Sequence, residues 1–275
     1  MKHLQKKTRR NNKAVAQNKK LSIQFSLDGF SFCILNSDTE EIITFTKYEF
    51  DKPVSSPELL LSNLMNVFAS DNDLQGDFTS VFAVHQNNLA TLVPEEYFDR
   101  NNLKPYLKYS VKTLPTDYIT YDTLDNIEAN TVYIPYVNIN NYLFQNFGEF
   151  EFKHHSTVLV DKLLNLNNEH QQFYVYVNSK SIDIIVTKGK QLLFSNSFSY
   201  ETKEDFLYYI LFTAEQLQMD PNEFSLTFIG DIEKESELYN ITYNYVRNVD
   251  FIKSNNTFFK ESEEFSNHSN YILIG

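Results

Sequence analysis

The stretch LSIQFSLDGFSF, residues 21–32, sets an Asp-Gly pair between two runs of alternating apolar residues. An acid next to a glycine at a strand end can do one of two things. It can hold a metal or orient a phosphate while the glycine lets backbone come close, or it can close a hairpin. Asp-Gly is the strongest short-range hairpin signal, because a type I′ turn needs positive φ at both central residues. The hairpin is the expected reading of Asp28 and Gly29, with phosphate contact as the alternative. The other glycines, Gly76, Gly148, Gly189, Gly230 and Gly275, stand singly. Phosphate cradles, dinucleotide fingerprints and the serine-hydrolase elbow each need glycines a few residues apart, so all three are excluded. Cys33 lies in a strand-like run and reads as a small buried hydrophobe, and a lone cysteine excludes an intrachain disulfide. His154 and His155 are adjacent; on a strand they would point to opposite faces and could not chelate one metal, so no metal site is expected and solvated or interface positions are. His85, in FAVHQNN, ends a strand and is the histidine a cleft would meet. Asp28, Asp183 and Asp231 could be gathered by the fold, although turn and cap roles account for Asp28 and Asp231.

The charges fall unevenly. Residues 1–20 hold Lys2, Lys6, Lys7, Arg9, Arg10, Lys13, Lys19 and Lys20 and no acid, while the rest of the chain sets 16 basic residues against 36 acidic ones, a net of −20. The segment has almost no apolar face, so a disordered tail is expected. It could rest on the acidic body, or Lys6, Lys7, Arg9 and Arg10 could contact a polyanion such as RNA. The longest apolar run, FLYYILF, is far short of the ~20 residues of a membrane-spanning helix. Nor do the first twenty residues contain the apolar stretch of a secretory signal, so a cytoplasmic protein without membrane contact is expected.

The elements that must position these groups follow from periodicity. LSIQFSL, FSFCIL and EIITFTKYEF read as a three-strand meander. Ser56 and Pro57 open a helix whose stripe is Leu60, Leu61, Leu64, Val67 and Phe68. FTSVFAV and TVYIPY read as buried strands, and INNYLFQNF as a short helix. After the helix TVLVDKLLNL the order recurs: FYVYV, SIDIIVT and KQLLFSNSFSY, a helix begun by Thr202 and Asp205, then FSLTFIG and a helix from Ile232. A nearly constant offset suggests duplication, with a basic tail over 1–20 and lobes over 21–150 and 151–275.

Two tandem βββαβα lobes of α/β class resemble the actin-like ATPase superfamily, whose halves are ribonuclease-H-like. More specifically, the basic Asn/Lys tail, the SLDG turn and the Phe/Tyr/Asn-rich body resemble an uncharacterised bacterial family of that fold, one with no known activity. In active members of the superfamily an Asp-x-Gly turn in each half approaches phosphate and metal, and a Gly-Gly pair touches the adenosine. The matching positions are Asp28-Gly29 in the first half, Asn178 and Ser179 in the second, and Gly230-Asp231 at the adenosine step. All three depart from the pattern. The resemblance therefore implies a non-catalytic, actin-like scaffold or adaptor with a protein partner and no cofactor. A divergent nucleotide-binding or sugar-kinase-like enzyme using Mg-ATP is the alternative, and an RNA-associated factor acting through the tail is the second.

Overall fold

A computed structural model describes residues 4–11, 16–254, 256–260, 262 and 264–274. In chain order the first elements are β1 (Leu4–Arg10), β2 (Lys19–Ser26), β3 (Gly29–Asn36), β4 (Ile42–Phe50), α1 (Pro57–Ser70) and β5 (Ser80–His85). There follow β6 (Ala90–Pro94), α2 (Lys104–Leu107), β7 (Thr120–Thr123), β8 (Ala129–Tyr133), α3 (Val137–Phe147), β9 (Glu151–His154) and α4 (His155–Asn165). The chain continues through β10 (Gln172–Val177), β11 (Ser181–Lys188), β12 (Gln191–Ser199) and α5 (Lys203–Gln216). It ends with β13 (Ser225–Gly230), α6 (Glu237–Tyr243), β14 (Asn248–Phe251) and α7 (Tyr271–Ile274).

Local chemistry explains the boundaries. Ser56 caps α1 by accepting the Leu59 N–H, and Pro57 occupies the first turn, where a missing donor costs nothing. Thr202 and Asp205 form a reciprocal capping box on α5. In β2 the side chains of Leu21, Ile23 and Phe25 are buried while Ser22, Gln24 and Ser26 are half-buried, the period-2 signature of a strand with one packed face.

The chain divides into two units: residues 1–87, 114–120 and 134–155 in the first, and 88–113, 121–133 and 156–275 in the second. The first unit holds a six-stranded sheet in the order β1-β4-β3-β2-β5-β9. Its core joins Ile23 and Phe25 to Leu60 and Leu64 of α1 and to Ile139 and Leu143 of α3. The second unit holds a five-stranded sheet, β12-β11-β10-β13-β14, whose core joins Val175 and Ile184 to Phe206 and Ile210 of α5. The two sheets repeat one plan. In each, a strand pairs antiparallel with its hairpin neighbour and parallel with the strand that follows the first long helix: β2 with β3 and β5, β10 with β11 and β13. This is the doubled ribonuclease-H-like plan of an actin-like ATPase fold.

Three expectations need correction. Residues 4–10 are not a disordered tail, for β1 pairs antiparallel with β4 over seven residues; a polar strand needs no apolar face of its own when a sheet edge supplies the hydrogen bonds. Residues 1–3 and 12–15 lie outside the described residues. The lobe boundary near residue 150 also shifts, since residues 88–113 and 121–133 belong with the C-terminal unit. There they build a small sheet, β6-β8-β7, tied in by Asn88 to Ser199 (3.2 Å) and by Thr157 to Asp122 (2.9 Å).

The third correction concerns the Asp-Gly turn. Ser26 pairs with Gly29, so the two-residue loop is Leu27-Asp28, and neither residue has positive φ. The expected type I′ geometry does not form. The end of β4 and the chain after it take the loop carbonyls instead, Phe50 N–H donating to Asp28 O (3.0 Å) and Val54 N–H to Leu27 O (2.8 Å). Gly29 is required by crowding, because a Cβ there would lie 2.1 Å from the Tyr48 carbonyl oxygen.

Candidate functional site

In α/β sheets ligands bind beyond the carboxyl ends of parallel strands, and the predicted positions gather at such ends within each unit. In the first unit, Phe25 near the end of β2 lies in register with His85 at the end of β5, and the Leu27-Asp28 loop follows β2. In the second, Val177 at the end of β10 lies in register with Gly230 at the end of β13, with Asn178, Ser179 and Asp231 in the loops that follow.

His85 is fully buried. Its Nδ1 accepts the Tyr136 N–H at 3.0 Å, which leaves Nε2 to donate to Asn140 Oδ1 at 2.9 Å. Phe25 meets the ring edge-on at 4.7 Å, and Phe152 packs at 5.5 Å. Burial in this aromatic cage drives the imidazole pKa down to about 3, against a smaller opposing effect of Asn140. Both nitrogens and both faces serve the fold. A neutral, enclosed imidazole of this kind joins three elements and is a poor general base.

His154 and His155 were expected at solvated or interface positions and, if on a strand, on its opposite faces. Instead, both are buried, and the strand ends between them, so that β9 gives way to α4 and the rings lie 4.4 Å apart. His154 Nε2 bonds the Asn87 carbonyl at 3.1 Å, and burial pushes its pKa well down, with the neighbouring His155 and His85 adding to the effect. No cluster of three or more His, Cys, Asp or Glu side chains suited to a metal occurs among the described residues.

The loop donors that a phosphate would need are engaged within the chain. The Asp28 N–H donates to Ser26 Oγ (3.1 Å), and the Asn178 N–H to Ser181 O (2.9 Å). Tyr200 Oη donates to the Asn178 carbonyl at 2.6 Å and fixes that turn. The Asp231 N–H donates to Val177 O (2.8 Å), and the Gly230 N–H to His268 O (2.9 Å). Gly230 has φ +91°, and a Cβ there would sit 2.3 Å from the Val177 carbonyl oxygen, so this glycine also answers a close backbone approach. His268, from the C-terminal segment, bonds Ile232 O through Nε2 at 2.9 Å and lays its ring against Phe251 at 4.4 Å. Ser179 and Asp231 are exposed, while Asp183 is buried in β11.

The basic residues of β1 meet carboxylates of their own unit. Lys6 pairs with Asp71 at 2.9 Å, Lys7 with Glu49 at 3.3 Å, and Arg10 makes a two-pronged contact with Asp73 at 2.8 and 2.5 Å. Arg9 lies half-buried in the same strand. Asp71 is buried, which would push its pKa up, yet hydrogen bonds from Tyr48, Lys6 and the Asp73 N–H outweigh burial and hold it below the usual carboxylate range. Asp71 went unnoticed in the sequence because its partners lie far away in the chain. A cavity of about 460 Å³ in the second unit is lined by residues between Glu95 and Asn130, none of them predicted.

Comparison with known proteins supports the fold. A family model described as a protein of unknown function (DUF3822) matches residues 8–249. The structure is similar to that of a Bacteroides thetaiotaomicron protein described as having an actin-like ATPase fold and unknown function. The match has a TM-score of 0.77 and 25% identity, covering 89% of this chain and 95% of that one. It is also similar to a structure of the PilM-PilN type IV pilus biogenesis complex, with a TM-score of 0.57 and 9% identity, covering 92% of this chain and 96% of that one. No curated protein matches.

Proposed function

The chain belongs to the DUF3822 family of proteins of unknown function, and from that premise we propose that it is a non-catalytic actin-like protein that works by binding, as a scaffold or adaptor for a protein partner. One observation carries the reading: at each loop where an actin-like ATPase would present backbone to a nucleotide, main-chain N–H groups already donate inside the chain, those of Asp28, Asn178, Gly230 and Asp231. Triphosphate binding relies on such donors, on cations and on a carboxylate-held metal. Lys180 is the one cation within these turns, and the chain as a whole carries −12. The PilM-PilN complex supplies a precedent for a protein partner on this fold. Among the described residues no helix is long and apolar enough to cross a membrane, and this reading puts the work in the cytoplasm, with no cofactor.

Thermal melting with millimolar Mg-ATP tests it. Ligand at 100 times its Kd would stabilise a specific site by ~2.7 kcal/mol. The expected outcome is no shift and no phosphate release. A rise of several degrees that Asp28→Ala abolishes would overturn the reading in favour of a nucleotide-binding enzyme.

A further inference from the structure

We infer that the segment from Arg100 to Lys112, together with the pocket beside it, binds single-stranded nucleic acid. The inference stands apart from the scaffold reading and does not depend on it. All of its residues lie in the second unit.

The cations of this segment differ from those of β1. Lys104, Lys108 and Lys112 recur at helical spacing and are exposed, whereas Leu107 and Val111 are buried and anchor the turn, whose Val111 N–H donates to Leu107 O at 2.9 Å. With Arg100 they make four exposed cations, none of them in an ion pair among the described residues. Asp99, next to Arg100, accepts the Asn101 N–H at 2.9 Å. Residues 100–112 contain no acid, so these cations make a locally positive strip on a chain of net charge −12, one that attracts anions. Tyr109, 90% exposed, stands among these lysines with Lys108 Nζ 5.3 Å from its ring. Cations interleaved with an open aromatic face suit phosphates and stacked bases.

The pocket supplies the rest. Phe98 and Tyr121, packed edge to face at 4.8 Å, form part of its wall, and Arg100 lies at both the pocket and the strip. Tyr106 Oη holds this wall in place, donating to Tyr97 O at 2.5 Å and accepting the Asp99 N–H at 2.7 Å. The remaining lining includes the carboxylates of Glu95, Asp125 and Glu128. Carboxylates repel phosphate but accept from base amino groups, so the base enters and the phosphates stay on the lysines. An anionic membrane fits less well, because the segment's aliphatic side chains Leu107 and Val111 face inward and cannot enter lipid.

Fluorescence anisotropy with labelled 12-nucleotide single-stranded RNA and DNA, read at 50 and 200 mM salt, tests the inference. Four phosphate contacts predict that affinity falls about 50-fold over that range. Lys104→Gln/Lys108→Gln/Lys112→Gln should remove most of the binding and flatten the salt dependence, Tyr109→Ala should weaken it roughly tenfold, and Lys6→Gln should leave it unchanged. All these positions are on the surface, and circular dichroism checks the fold. No oligonucleotide binding, binding that the triple variant retains, or binding to phosphatidylglycerol vesicles alone would each overturn the site.

Discussion

His85 shows what a single residue can and cannot disclose. Its place at a strand end was legible from FAVHQNN, because β-branched and aromatic alternation stops there. Its environment was not, since Tyr136, Asn140 and Phe152 arrive from elements some fifty or more residues later. The same distance hid the pairing of His154 with Asn87. Burial also fixes the pH response. The folded pKa of about 3 lies below the ~6.5 of an unfolded histidine, so below pH 6.5 the unfolded chain binds a proton that the native chain refuses. The stabilising effect is therefore complete above pH 6.5 and is lost as pH falls toward 3, at about 1.4 kcal/mol per pH unit for this residue. Urea midpoints measured from pH 7.5 to 4.5 should show more than that slope, because the buried His154 adds its own proton, and His85→Gln should reduce it by one proton. An unchanged slope in the variant would mean that burial does not keep the His85 imidazole neutral.

At the scale of elements, the legible parts are those whose cause is local. The capping residues of α1 and α5 and the alternation of β2 lie within a few positions of one another, and the structure repeats them as read. Strand β1 escaped because its cause is remote: its ladder partners lie in β4, and the acids that neutralise Lys6 and Arg10 are 65 and 63 positions away. Ordering a strand costs ~1 kcal/mol or more per residue, offset here by the ladder and by charge-assisted bonds to the buried Asp71. Deleting residues 1–11 should consequently lower the melting temperature by more than about 5 °C, corresponding to ~2 kcal/mol for a chain of this size. Lys6→Met alone should give a smaller drop, because Tyr48 continues to bond Asp71. A melting temperature insensitive to the deletion would mean that β1 adds nothing to the sheet.

For the molecule as a whole, the repeat was legible because order along the chain survives when residue identity does not; the two sheets share strand order and direction. What the repeat could not announce is how the second sheet is closed at its carboxyl end. The family match stops at residue 249, yet Phe259, Phe265, Tyr271, Ile272 and Ile274 beyond it are all buried. Lys162 Nζ donates to the carbonyls of Tyr271 (3.2 Å) and Ile272 (2.9 Å), tying this segment to α4, while His268 takes the Gly230 N–H. Burying one large apolar side chain stabilises by ~1.5–3 kcal/mol, so five together far exceed these three hydrogen bonds. A chain ending at Ser254 should therefore melt more than about 10 °C lower. Hydrogen exchange should place the loss in β13 and β14, whose ends His268 contacts through Gly230 and Phe251, and leave β2 and β3 protected, since none of these contacts belongs to the first unit. If the shortened chain melts like the full one, or if β2 and β3 open as readily as β13 and β14, the C-terminal segment is not what closes the second sheet.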